Sequence, residues 1–407
     1  MPPDLPSDKA CGRSERWLGA AGLLLLALLA GGPLLLDRPP VDWIEPPARP
    51  ALRWGSVAVV LLGMLAAVAL RARADRAAEA RPLLGHAILV LLAGLLTGCH
   101  WLMVDRREET AAWQRQKYLA ILNHTADAPH QYRPLPYGLA RGLERLTGDW
   151  WFACVAYRWF FTYWFLWAAY RFARLFGPPR WAWFAPLTLL VLYPFSVAWY
   201  AGQLTDPLSH ALFVLAMIYL MEDHWLRLTA AVALGVMAKE TAVLLVPAYL
   251  ACFGRNGWPA LLKTAALGMA AMAAFLAVRL PLDWQPSNAG LNGLDALMIG
   301  TNLGIGEPMF HPAAPQYHNY LHPLLFVGSF LPFIVWRWRR IDRRLRLLCL
   351  VVVPLLLLSN LCFGWMYESR NYMPLVPLLA TMAVPVGPPR SQKSGVRDQE
   401  SGAAADS

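Results

Sequence analysis

Charge is what this chain of 407 residues has least of. Asp, Glu, Lys and Arg make up 15% of it, where a soluble globular protein carries about 25%, and the mean hydropathy is +0.38. A water-soluble fold is excluded on those grounds. Strand-like alternation is also missing: runs such as Leu23 to Leu29 are continuously apolar, which excludes a transmembrane β-barrel. The six cysteines, Cys11, Cys99, Cys154, Cys252, Cys349 and Cys362, form no CxxC pair and no His/Cys metal spacing, so neither a disulfide framework nor a zinc site is indicated. A Gly-rich phosphate loop of the GxxxxGK[ST] type is absent as well. The formal net charge of +10 would suit nucleic acid in a soluble protein. In a membrane protein it reports first which loops face the cytoplasm, and no nucleic-acid partner is expected.

What the chain has in place of charge is apolar length. Segments 17 to 36, 53 to 70, 84 to 104, 151 to 170, 181 to 199, 208 to 221, 228 to 238, 241 to 253, 260 to 280, 321 to 336, 346 to 363 and 372 to 387 are apolar, and about 20 such residues cross a bilayer as a helix. The expected fold is all-α: a polytopic transmembrane protein with about twelve spans, two of them short. The first span follows Lys9, Arg13 and Arg16 and reads as an uncleaved anchor, being longer than a signal-peptide core and lacking a clean A-x-A site. The expected organisation is a cytoplasmic tail at 1–16, two additional spans within 17–83, a principal transmembrane unit at 84–387 with external loops 105–150 and 281–320, and a disordered cytoplasmic tail at 388–407. With both termini cytoplasmic, the inside segments hold about twice as many Lys and Arg as the outside ones, which is the expected bias. An inner (plasma) membrane location follows.

The stretch 226 to 253 tests that topology. Read as one helix, it would bury Lys239 and Glu240 near its middle and move Arg337, Arg339, Arg340, Arg343, Arg344 and Arg346 to the outside. Read as two short helices, it places the Lys239-Glu240-Thr241 turn below the outer membrane surface, where charged irregular backbone is tolerated only against protein or a wet cavity. The second reading keeps the Arg cluster inside and makes the turn a candidate site.

Other polar groups gather on the same outer face. Asp105 follows the span that ends in His100-Trp101-Leu102-Met103-Val104, at an apolar boundary where desolvation raises a carboxylate toward general-base duty; a plain helix-end charge is the alternative. Glu108 shares a helical face with it and is the reserve candidate. Trp113 to Leu122 is an amphipathic stretch whose Arg115 and Lys117 suit anionic lipid headgroups. The turn Tyr200 to Pro207 offers Thr205 or Asp206 as an N-cap, with Pro207 at the first helical position. Lys239 and Glu240 form either a site or a self-neutralising buried pair. Arg370 presents a guanidinium fork suited to phosphate, or else anchors the interface beside Glu368. The loop 281 to 320 has no Lys or Arg and reads as an irregular lid; its Glu307, His311 and His318 have no recognised metal-ligand spacing.

Taken together, several of these elements resemble a known pattern. They are an acidic residue just after an early span, an amphipathic outer loop containing Tyr132-Arg133-Pro134-Leu135-Pro136, the stretch Gly235-Val236-Met237-Ala238-Lys239-Glu240-Thr241 ahead of an apolar run to Pro247, and Glu368-Ser369-Arg370-Asn371-Tyr372-Met373-Pro374. The chain over residues 84 to 387 resembles the C-type glycosyltransferase superfamily, polytopic enzymes that take a sugar from a polyprenyl phosphate. Its layout is similar to bacterial members related to protein mannosyltransferases and aminoarabinose transferases.

The resemblance implies transfer of a sugar from a polyprenyl-phosphate donor to an acceptor hydroxyl on a lipid, glycan or protein, at the external face and with inversion. It implies Asp105 as the base, Lys239, Arg370 and Arg133 on the donor phosphate, Glu240 as the group that positions Lys239, and Asp206 against acceptor or sugar. A clear Asp-x-Asp is absent, so no cofactor is expected and a divalent metal is left without a motif. Membrane lipids are the remaining expected partners. Two other readings use the same charges: a transporter or flippase for a lipid-linked or small anionic solute, and a catalytically inactive assembly partner.

Overall fold

The computed structural model describes residues 82–101, 108–126, 130–198, 204–282, 299, 323–364, 366 and 368–384. Both tails, the spans expected within 17–83, Asp105 and nearly all of loop 281–320 lie outside the described residues. Among the described residues all regular structure is helical. The helices are α1 (Pro82–His100), α2 (Glu108–Leu122), α3 (Pro134–Thr147), α4 (Trp150–Phe176), α5 (Phe184–Ala198), α6 (Thr205–Met221), α7 (Trp225–Ala238), α8 (Leu245–Phe253), α9 (Trp258–Arg279), α10 (Leu331–Arg337), α11 (Arg343–Phe363) and α12 (Val376–Ala383), with 3-10 turns between several of them.

Two helical segments, Trp258–Leu282 and Arg343–Phe363, are long and apolar enough to cross a membrane; α1, α6 and α7 are shorter apolar helices. A soluble protein's core helix passes the same test, but it is mostly buried. Only 17% of the most apolar stretch of α9 is buried, and Leu261, Leu262, Met269 and Met272 face outward. Leu350, Leu358 and Phe363 do the same on α11. Helices that turn apolar side chains away from the protein fit a lipid surround.

The core is built round α6, almost every residue of which is buried. Polar links fix how its neighbours run. Arg171 on α4 pairs with Glu222, just past the end of α6, at 3.1 Å, while Arg158 and Thr162 of α4 line a common cavity with Asp206 and His210 of α6. The two helices are therefore parallel and pack directly on each other, and α5 carries the chain back along α4. The same logic applies to α7 and α9. Trp225 Nε1 donates to the Lys263 carbonyl at one end, and Glu240 meets Arg279 at the other. The chain must reverse between them, and it does so at Lys239, whose backbone is extended at φ −163° and ψ 134°.

Gly235 makes that reversal possible. A Cβ placed there would lie 2.7 Å from the Ala242 methyl, so the departing and returning chains touch only because one side chain is missing. In a continuous helix these residues would be about 10 Å apart along the axis. From there α8 descends to Cys252, whose thiol meets the Arg344 carbonyl at 3.5 Å, and α11 climbs back.

Where it is described, the segment 105–150 is largely helical. Gly148, left-handed at φ 74°, ends α3 by donating its N–H to the Glu144 carbonyl, and the Asp149 carboxylate starts α4 by accepting from the N–H groups of Trp151 and Phe152. Tyr118 on α2 donates to Glu144 on the amphipathic α3 at 2.7 Å, which pins the two helices together; α2 itself has no distinct apolar face, contrary to the amphipathic stretch expected at Trp113 to Leu122. Arg141 reinforces the same carboxylate. These hydrogen bonds hold the Glu144 carboxyl below the usual range against its partial desolvation, while burial and the bond to Glu144 push the Tyr118 phenol up.

Candidate functional site

The consequence of these directions is that one end of the bundle collects the C-terminal ends of α1, α5, α7 and α9, the N-terminal parts of α4 and α6, and the segment 368–371. Asp206 sits at its centre, 8% exposed. Its carboxylate accepts from Lys239 Nζ at 3.4 Å and from Arg370 Nη1 at 3.2 Å. Lys239 also donates to Asn371 Oδ1 at 2.6 Å, Asn371 Nδ2 donates to Glu368 at 3.0 Å, and Arg370 Nη2 closes the ring by donating to Glu368 at 3.2 Å. A second network adjoins the first. Glu240 accepts from Arg133 at 3.0 Å and from Arg279 at 2.6 Å, and the Arg279 guanidinium stands 3.6 Å from the Phe275 ring centroid and 4.9 Å from that of Tyr132.

The two networks meet at consecutive residues. Because Lys239 is extended, its side chain and that of Glu240 leave in different directions and serve different partners. The self-neutralising Lys239–Glu240 pair is therefore not formed. The expected N-cap is corrected too: α6 begins at Thr205 with Leu204 as cap and no capping side chain, because the Asp206 carboxylate is committed to cations, and Pro207 falls at the third helical position. Arg370 meets Glu368 with one nitrogen, as expected of a group beside that carboxylate, and Asp206 with another.

Loop groups add to the field. Burial pushes the Lys117 ammonium on α2 down to about 8, with Arg370 and Arg133 acting the same way and Glu368 and Asp206 opposing. Burial likewise pushes the His130 imidazole down to about 3, helped by Lys117, Arg133 and Arg370. Lys117, proposed from sequence for lipid headgroups, thus lies within the field of the central cations.

Of the residues singled out in the sequence, Asp206, Lys239, Glu240, Arg370 and Arg133 are brought together. Asp105 lies outside the described residues, and Glu108 is placed only as the first residue of α2. Sequence reasoning missed Arg279, Arg158, His100, Asn371 and His210. A signal existed for two of these: Arg158 and Arg279 are charges inside apolar spans, where an ionisable side chain marks a site. Arg158 donates to His100 Nε2 at 2.8 Å, and a guanidinium has only donors, so the His100 ring is neutral with its proton on Nδ1. Among the described residues, no three His, Cys, Asp or Glu side chains converge on a point that could hold a metal. No family model, curated protein or solved structure matches the chain.

Proposed function

We propose that the protein is a multi-pass membrane glycosyltransferase that uses a polyprenyl-phosphate sugar, with both termini cytoplasmic and its site at the external face. The observation that carries this reading is the charge cluster at one bundle end. Over the described residues its cations, Lys117, Arg133, Lys239, Arg279 and Arg370, outnumber its carboxylates, Asp206, Glu240 and Glu368. A surplus of cations in a low-dielectric setting suits a lipid-linked phosphate. The opposite end carries Arg339, Arg340, Arg343 and Arg344, all exposed, which supports a cytoplasmic position for it.

In this reading an acceptor hydroxyl attacks the anomeric carbon, its proton passes to Asp105, and the bond from that carbon to the phosphate oxygen breaks with inversion. Lys239, Arg370 and Arg133 take the negative charge that develops on the departing phosphate. Asp105 follows His100 by five residues, a length of chain no longer than about 18 Å, and His100 lines the cavity next to Asp206 and Arg370. Glu108 is the reserve base.

The test is transfer from a panel of polyprenyl-phosphate sugars by the full chain in vesicles, with Asp105→Asn, Glu108→Gln and Lys239→Ala beside it. Loss of transfer in Asp105→Asn with donor binding kept, and loss of donor binding in Lys239→Ala, supports the reading. Full transfer in both acidic variants removes it. Donor binding that is followed by movement across the bilayer, with no new glycosidic bond, assigns the site to a flippase instead.

A further inference from the structure

Behind the ion network lies a second polar feature that the proposed chemistry does not use. A cavity of about 20 Å³, room for a single water molecule, is lined by His100, Arg158, Thr162, Asp206, His210 and Arg370, among others. Two of these groups are buried and unsatisfied. Thr162 is 1% exposed and His210 is 6% exposed, and neither Thr162 Oγ1 nor His210 Nε2 has a hydrogen-bond partner among the described residues.

The chemistry of His210 says what is needed there. Its ring hydrogen-bonds the backbone of Arg370. That bond falls to Nδ1, since Nε2 is the nitrogen left over, and a carbonyl requires Nδ1 to carry the proton. Nε2 then presents a lone pair to the cavity. The other polar walls are Arg158, which gives one N–H to His100, Arg370, the residues Thr162, Ser196 and Tyr193, which carry hydroxyls, and Asp206, whose carboxylate is already held by Lys239 and Arg370. A buried acceptor and a buried hydroxyl that line one cavity of this size are the arrangement that one ordered water completes, at about three hydrogen bonds.

We propose that this cavity holds one structural water, which donates to His210 Nε2 and bonds Thr162 Oγ1, with Arg158 donating to it. The water joins the end of α1 to the Arg370 segment through His100, Arg158, the water, His210 and the Arg370 backbone. His210 is on this account a positioning residue for Arg370. The water site itself does not depend on the glycosyl-transfer reading, so the two can fail separately.

Two measurements on the full chain in detergent test it. The first is microsecond X-ray radiolysis, which oxidises side chains beside bound water even when they are buried. Phe165 and Tyr193 line the cavity, while Phe172 and Phe213, equally buried, do not. Oxidation of Phe165 or Tyr193 several-fold above Phe172 and Phe213, returning to their level in Thr162→Val, is the expected result. Oxidation no higher than those controls overturns the proposal, as does labelling that persists undiminished in Thr162→Val.

The second measurement is the sign of the change in apparent melting temperature. Around a dry cavity Thr162→Val removes an unsatisfied hydroxyl and raises the midpoint. Around a hydrated one it removes a bonded hydroxyl and lowers the midpoint by roughly 2 °C, with Thr162→Ser, which keeps the hydroxyl, still showing the cavity labelling. A raised midpoint overturns the proposal.

Discussion

The two ends of the helical bundle use the same residue types in opposite ways. At the site end Lys239 and Arg370 are buried against Asp206, and Arg279 is buried against Glu240. At the far end Arg339, Arg340, Arg343 and Arg344 are exposed, the Asp342 carboxylate caps α11 by accepting from the N–H groups of Arg344 and Leu345, and Glu222 closes the α4–α6 pair through Arg171. The far charges are in contact with solvent and can be exchanged singly. The near charges are not, because each is the counter-ion of another that is largely buried. A charge count for the whole chain therefore says little about either end.

Substitutions should separate the ends sharply. Asp206→Ala leaves Lys239 and Arg370 without their shared carboxylate and should cost about 3–5 kcal/mol, seen as a collapse in monodisperse protein after detergent extraction. Recovery of wild-type yield would mean that the near network is no more coupled than the far one. Glu240→Gln removes a charge that is 28% exposed and keeps an acceptor for one arginine. Its cost should be about 1–2 kcal/mol, read as a melting shift, with a larger effect on phosphate binding than on stability. An effect as large as that of Asp206→Ala would show that the two networks act as one.

Lys117 sharpens the comparison through pH. With its ammonium pushed down to about 8, phosphate binding should weaken as pH rises through 8, and Lys117→Arg should flatten that step. Stability should move the other way. The unfolded chain, at the ordinary value of 10.5, holds the extra proton between about 8 and 10.5, so this group's contribution to stability rises with pH across that window. A binding profile that is flat in the wild type would remove Lys117 from the site. The smallest effect belongs to the far end: Arg339→Gln with Arg340→Gln should change stability by no more than about 0.5 kcal/mol. A larger shift would show that these exposed arginines are structurally engaged.

The sequence made the helical class legible because low charge and long apolar runs leave few alternatives. It also pointed to the reversal at Lys239, since a continuous span there would have moved the cluster from Arg337 to Arg346 to the outer side. What it did not convey was pairing. Asp206 meets partners 33 and 164 residues away, and which helix ends coincide depends on packing that no local pattern records. The spans were legible less evenly: 208 to 221 corresponds closely to α6, whereas 321 to 336 breaks into short helical pieces around Gly328–Phe330 and Leu331–Arg337, and 372 to 387 divides into the 3-10 turn Ser369–Leu375 and the eight-residue α12. Prolines account for part of this. Pro332, Pro374 and Pro377 each withdraw a backbone donor where a continuous helix would need one.

Gly235 sets a tolerance for the whole site without touching any substrate-facing group. The Ala242 methyl closes against it with no room for one more carbon, and Lys239 and Glu240 are the links between the two. Any side chain added at 235 acts as a wedge that moves both links at once, opening the Asp206 ring and the Arg133–Glu240–Arg279 bridge by a common displacement. The spacing of seven charges is thus gauged by the thickness of a single α-carbon.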